Sequence, residues 1–377
     1  MAEKPKKILY VQYTNPAAFP PLENSALLLA NRGWQVKFLG TQALGLENVH
    51  LLNHPNIKVE LGSYCFPGKK QKLNYFVFIL RSAKEMLMGQ YSCVYVSDIF
   101  ATPIGWFACV VLNKRVFYHE HDTPSCAHSR FTQFLHWTRK KLSSQADLCI
   151  FPQTERANTF LNQFSAAKVQ VCFNMPLKST AINASEKNRQ TFFTLWYHGS
   201  LIEERLPFQI LEALRILPND VALKFAGYET FSSEGFLKRF FDKARKLGVE
   251  NRVQYCGVLE TRESLFRQAQ ECQLGLVLFQ KQFVEPMVGA SNKPYDYLAC
   301  GMPILFNDSS EWINFFENQG VGKSCDPGSS ESIAQAIRFL VENETEYANM
   351  RKRGLEKIST EWNYEAQFAP IQKLLEN

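Results

Sequence analysis

The chain has 377 residues, of which 46% are hydrophobic and 21% charged; this is enough apolar matter for two domains and too much for a disordered protein. No run of about 20 uninterrupted apolar residues occurs, and the charged start MAEKPKK passes straight into a strand-like segment, so neither a membrane span nor a cleaved leader is expected. The net charge of +6 is lopsided, because residues 1–180 hold 20 Lys and Arg against 10 Asp and Glu, and the remainder 22 against 26. A basic amino-terminal half fits an anionic acceptor or an anionic membrane surface, or simply an uneven solvated surface.

In chain order, KILYVQY reads as a strand, LENSALLLANRG as a helix ending at Gly33, and WQVKFLG as a second strand. The helical pattern NYFVFILRSAKEMLMG, the strands SCVYVSD and KRVFYHEH, the helix SRFTQFLHWTRKKLSSQ and the strand ADLCIFPQ follow. The tract KSTAINASEKNRQ (178–190) is polar and aperiodic and reads as a linker. A second alternating series then runs TFFTLWYHG, LPFQILEALRIL, ALKFAGY, EGFLKRFFDKARKLG, RVQYCG, RESLFRQAQ, LGLVLF, KPYDYLACG, PILFND and SSESIAQAIRFLVEN. Alternating strands and helices predict an α/β chain of two Rossmann-like, doubly wound parallel-sheet domains, 1–180 and 190–358, with a ligand cleft between them. Ten cysteines without a Cys-x-x-Cys pair, most inside apolar segments, read as reduced thiols and, with the missing leader, as a cytoplasmic location.

The segment Ser291-Asn-Lys-Pro-Tyr-Asp-Tyr-Leu-Ala-Cys-Gly-Met-Pro303 reads as a short helix. Ser291 or Asn292 caps it, Pro294 sits in the first turn, and Gly301 ends it ahead of Pro303. Its amino-terminus offers N–H groups to phosphate oxygens, and Asp296, one turn in, can accept hydrogen bonds from ribose hydroxyls. The plain alternative is an acid that complements the helix dipole. In Trp196-Tyr-His-Gly-Ser200, Gly199 permits close backbone approach, and Arg205, just before the next helix, suits a diphosphate, or else is a solvated helix-entry arginine. In Tyr118-His-Glu-His-Asp-Thr-Pro124 a strand ends in a polar loop; His119 and His121 share one face, and Glu120 and Asp122 the other. The two histidines permit a metal pair, but no third ligand is evident.

These segments resemble glycosyltransferase family 4, the glycosyl transferases group 1, in which an Asn-Lys helix start precedes an acid and Leu-Ala-x-Gly-x-Pro. The resemblance implies the GT-B fold, a hexosyltransferase-like reaction that retains anomeric configuration, and a nucleoside diphosphate sugar as donor. It puts Asp296 on the donor ribose and His121 beside the donor sugar. Two departures stand out: Val288 replaces the family's earlier glutamate, with Glu285 the nearest substitute for the sugar hydroxyls, and Ser200 replaces a cation that Lys293 can supply. Cys172-Phe-Asn174-Met-Pro176 resembles the stretch closing the first domain, and residues 359–377 resemble the last helix, which crosses back to it. The family's glycine-rich acceptor loop is replaced by Asn15-Pro-Ala-Ala-Phe-Pro-Pro21.

The resulting expectation is a metal-independent transferase without a cofactor, since no Asp-x-Asp occurs. His121, Arg205 and Lys293 form its catalytic group, and Gly199, Ser200, Glu285, Ser291, Asn292 and Asp296 its donor-binding set. The acceptor is a glycan or lipid-linked, consistent with polysaccharide biosynthesis. Lys69, Lys70, Lys72 and Arg139-Lys140-Lys141 are candidates for peripheral contact with an anionic membrane. Nucleic acid is not an expected partner. A catalytically silent nucleotide-sugar-binding protein and a nucleotide-sugar epimerase are the alternatives, because the two departures touch the donor site.

Overall fold

The computed structural model describes residues 5–66, 68–124, 126, 128–182, 192–230, 233–280 and 288–377. They form two compact units. One comprises residues 1–47, 51–174 and 367–377, the other residues 48–50 and 175–366.

The first unit is built on a seven-stranded sheet. Its strands are β1 (Lys7–Val11), β2 (Gln35–Thr41), β3 (Ile57–Gly62), β4 (Cys93–Ser97), β5 (Arg115–His119), β6 (Leu148–Phe151) and β7 (Val169–Val171), in the spatial order β3-β2-β1-β4-β5-β6-β7. Every pairing is parallel, and β1, β4, β5 and β6 are nearly continuous apolar runs, as a sheet covered on both faces requires. The order reverses between β1 and β4, the topological switch point where such sheets open a crevice beyond their carboxyl ends.

The second unit repeats the plan with six parallel strands. These are β8 (Phe193–Ser200), β9 (Val221–Tyr228), β10 (Val253–Tyr255), β11 (Leu274–Val277), β12 (Ile304–Asn307) and β13 (Gly322–Cys325), ordered β10-β9-β8-β11-β12-β13. Its switch point lies between β8 and β11. Leu195, Leu223, Phe225, Leu276 and Leu305 from the sheet pack against Ile210, Leu214, Phe240 and Ile337 from the covering helices. None of the ten cysteines is in a disulfide, and six are buried. Among the described residues no helix is long and apolar enough to cross a membrane.

The linker read at 178–190 is described only to Ile182, where the backbone N–H of Ile182 donates to the carbonyl of Ala299. The final helix spans Tyr364–Glu376, and its last residues belong to the first unit. There Arg115 Nη2 donates to the Leu374 carbonyl at 2.5 Å, and Arg32 pairs with Glu376 at 3.1 Å.

Candidate functional site

In the second unit the candidate residues gather at the carboxyl ends of β8 and β11. The Lys293–Ala299 helix begins at Lys293 with Pro294 in its first turn, and Gly301 follows it at φ +64°, as the pattern of turn residues dictates. Asn292 occupies the cap position, but its side chain does not cap: its amide donates to Asp296 Oδ2 at 2.6 Å. Ser291 is buried beside it.

Lys293 runs back over β8. A Cβ at Gly199 would lie 2.9 Å from Lys293 Cε and 3.1 Å from Nζ, so the glycine, held at φ +127°, makes room for the ammonium. Nζ also lies 5.7 Å from the centroid of the Tyr197 ring, whose hydroxyl donates to the Ser200 carbonyl at 2.6 Å. Burial, reinforced by the neighbouring Arg205 charge and only partly opposed by Asp296, pulls the Lys293 ammonium down to about 7. The Arg205 charge thus reaches Lys293, and an anion bound beside Lys293 would favour its charged form.

Asp296 lies deep in the same site. It is 1% exposed, and Arg262 engages both oxygens, Nη2 to Oδ1 at 2.9 Å and Nη1 to Oδ2 at 3.4 Å. Burial, the largest single influence, would raise this carboxyl, but the Arg262 charge and hydrogen bonds together with the nearby His198 hold Asp296 below the usual range. His198 completes the cluster. Trp196 Nε1–H donates to His198 Nδ1 at 3.1 Å, which leaves the imidazole hydrogen on Nε2, 3.6 Å from Asp296 Oδ2 and too far for a hydrogen bond. Burial lowers His198, so it is held neutral. Asp296 is thus held by Arg262 and Asn292, with His198 Nε2 nearby. Arg262 and His198 were not among the residues singled out from sequence. The alternation of Trp196 and His198 on one face of β8 was the available signal for the histidine; Arg262 lies 34 residues from its partner, with no local pattern. Val288 is buried, and Glu285 lies outside the described residues.

In the first unit His119 and His121 do share a face, with ring centroids 3.8 Å apart. His119 meets the Tyr95 hydroxyl at 2.8 Å through Nδ1. Neither ring nitrogen of His121 has a hydrogen-bond partner among the described residues, and Phe19, from the segment replacing the acceptor loop, lies 5.2 Å away. Burial pushes His121 down to about 3, so its ring is neutral with one donor and one acceptor unused. Glu120 turns to the opposite face, where Arg139 binds it in a bidentate pair at 2.6 and 2.8 Å.

Asp98, absent from the sequence reading, organises this loop. It ends β4 at φ +61°, and its Oδ1 accepts the backbone N–H groups of His121 at 2.8 Å and Asp122 at 3.3 Å. Gln12 Nε2 donates to its other oxygen at 3.1 Å. Burial, with Asp122 adding to it, pushes the Asp98 carboxyl up to about 7. Among the described residues no group of three or more His, Cys, Asp and Glu side chains is placed to hold a metal ion.

Residues 178–357 match the family model described as glycosyl transferases group 1. No curated protein matches the chain in sequence. Solved structures match over its whole length at low identity. HepE from Anabaena, in complex with UDP, is 19% identical with a TM-score of 0.72, covering 98% of this chain and 99% of its own. Sucrose-phosphate synthase from Thermosynechococcus elongatus is 14% identical with a TM-score of 0.73 and 98% of both chains covered. WaaG, a glycosyltransferase involved in lipopolysaccharide biosynthesis, is 12% identical with a TM-score of 0.67, again with 98% of both covered. All three are GT-B glycosyltransferases, and the doubly wound pair of sheets described above is that fold.

Proposed function

Since residues 178–357 belong to the glycosyl transferases group 1 family, we propose that the protein transfers a sugar from a nucleoside diphosphate sugar to a glycan or lipid-linked acceptor, with retention and without a metal. The observation that carries this reading is the buried Lys293 laid against Gly199, within reach of the Arg205 charge, at the switch point of the second sheet. A departing diphosphate develops negative charge, which the buried Lys293, charged once an anion is beside it, and Arg205 can meet. No metal need enter, because the protein supplies the positive charge. UDP-glucose is the donor to test first, since HepE was solved with it.

In this reading Lys293 and Arg205 meet the diphosphate, and Gly199 and Ser200 offer backbone that a phosphate can approach. Asp296 is a positioning residue: it fixes Arg262 and Asn292 around the donor, with Ser291 packed behind. Glu285 keeps its proposed place on the sugar hydroxyls. His121 binds a sugar hydroxyl through its unused ring nitrogens and is not the attacking group, its neutral form being held by burial.

The test is a thermal-shift and calorimetry panel of nucleoside diphosphates and their sugars on the wild-type chain and on Lys293→Met. Specific stabilisation by one diphosphate, weakened about 10- to 100-fold in Lys293→Met, supports the reading, that being the worth of a charge-assisted hydrogen bond. No ligand-dependent shift with any nucleotide sinks it. NMR of the anomeric centre in the product tests retention, and turnover undiminished by EDTA tests metal independence. Binding without transfer to any acceptor would instead favour the silent binding protein suggested by the replacements at Val288 and Ser200.

A further inference from the structure

The Lys69–Met88 helix is apolar on two sides. One side, Tyr75, Phe78 and Met86, is buried in the first unit. The other carries Leu73, Phe76, Leu80 and Leu87, which are 65%, 58%, 54% and 64% exposed. The spacing i, i+3, i+7, i+14 lines them into a single stripe along the outer surface of the helix. Lys69, Lys70, Lys72 and Lys84 are exposed along the same helix, and none of the four has an ion-pair partner among the described residues. The acids nearby are already engaged: Glu60 pairs with Lys37 and Arg81, and Glu85 with Lys37.

The pattern continues across the layer. The connections β3 to β4, β4 to β5 and β5 to β6 all run in one direction along the sheet, so right-handed crossovers put their helices on one face. The Lys69–Met88 helix touches the Thr102–Val110 helix, which touches the Arg130–Ser143 helix. On this last helix Phe134, Trp137 and Lys141 repeat the spacing, all exposed, with Lys141 Nζ 5.9 Å above the Trp137 ring. Lys140 is exposed beside them, whereas Arg139 is withdrawn into its pair with Glu120 and takes no part, a correction to the basic triplet read from sequence.

We propose that this helix layer is a docking surface for an anionic lipid bilayer, with Leu73, Phe76, Leu80 and Leu87 entering the headgroup boundary and the lysines meeting lipid phosphates. The inference stands apart from the transferase reading. Exposed leucine and phenylalanine in a row need a partner, and unpaired lysines with Phe and Trp among them match the interface of a negatively charged membrane. A second copy is disfavoured by charge, because a symmetric pairing would set one lysine row against the other.

The experiment is co-sedimentation of the full chain with neutral phosphatidylcholine vesicles and with vesicles containing phosphatidylglycerol, at low and high salt. The chain is expected to pellet with the anionic vesicles, and high salt to release it. The variant Lys69→Gln/Lys72→Gln/Lys84→Gln should lose at least about tenfold in partitioning. The variant Phe76→Ser/Leu80→Ser should lose binding while melting like the wild type. Should that variant fail to fold, the lysine variant and the salt release decide alone. Equal pelleting with both vesicles, or none with either, overturns the proposal. So does a dimer in size-exclusion chromatography that Phe76→Ser/Leu80→Ser dissolves without any vesicle binding.

Discussion

Lys293 crosses the face of Gly199 so closely that the glycine's missing side chain is what admits the ammonium. Gly199→Ala meets two obstacles at once, a left-handed φ of +127° and a lysine 2.9 Å from the new Cβ. The expected result is a loss of about 1–3 kcal/mol in stability by urea denaturation. A fall in diphosphate affinity like that of Lys293→Met should accompany it. An alanine variant as stable and as tight-binding as the wild type would remove the basis for the role of Lys293.

Lys293 also gives the site a proton signature. With the ammonium drawn down to about 7 in the unliganded chain, a bound diphosphate should raise it again. Donor binding between about pH 7 and 9 should therefore take up a proton, seen as a dependence of the calorimetric enthalpy on the ionisation heat of the buffer. Without ligand the sign follows from the same shift. The unfolded chain keeps this proton up to near the ordinary 10.5, so the contribution of Lys293 to stability rises as pH climbs from 7 towards 10.5. Lys293→Met should abolish both effects.

Asp296 is buried and Arg262 nearly so, and removing the acid takes from the guanidinium its bidentate carboxylate. Asp296→Ala is expected to cost about 3–5 kcal/mol, read from the urea midpoint. The double variant Asp296→Ala/Arg262→Ala should cost less than the sum of the two single changes. A donor-binding defect in Asp296→Ala with stability untouched would support the ribose role that the sequence pattern suggested.

The two buried histidines of the first unit set an acid limit. Burial lowers both, His121 to about 3 from an ordinary 6.5, so the unfolded chain binds protons that the folded chain refuses. Their contribution to stability should fall as pH drops from 6.5 towards 3. His121→Gln should flatten that dependence in urea melts at pH 7 and pH 5; an unchanged slope would mean that the ring titrates freely.

The central strands of both sheets and the helices between them could be read from periodicity, because buried parallel strands are short apolar runs and their helices are amphipathic. The edges were not. β3 is half exposed, with Lys58 and Glu60 in an edge strand; β7 is three residues long; and β13, Gly322–Cys325, has glycine, lysine and serine in its first three positions. The Thr102–Val110 helix escaped notice because it is apolar nearly all round and lacks a stripe to betray it. At the site, Gly199, Lys293 and the His119–His121 pair stood out by residue type and local turn pattern, although the contact of Lys293 with Gly199 and that of His119 with Tyr95 are made by the fold. Asp98 and Arg262 act through residues 23 and 34 positions away, a relation that only the fold creates. Arg139 was misread for the same reason, its acid lying 19 residues upstream.

The return of residues 367–377 to the first unit orders events during synthesis. Phe368, Ile371 and Leu375, in the segment that belongs to the first unit, are buried, a burial that waits until residues 367–377 have been translated. The opening half of the polypeptide must therefore wait on the ribosome with part of its interior unfilled, while the second unit, apart from residues 48–50, has nothing further to wait for. Deletion of residues 367–377 should leave the earlier-made unit the more readily cleaved of the two in limited proteolysis, although the residues lost lie far from it in sequence.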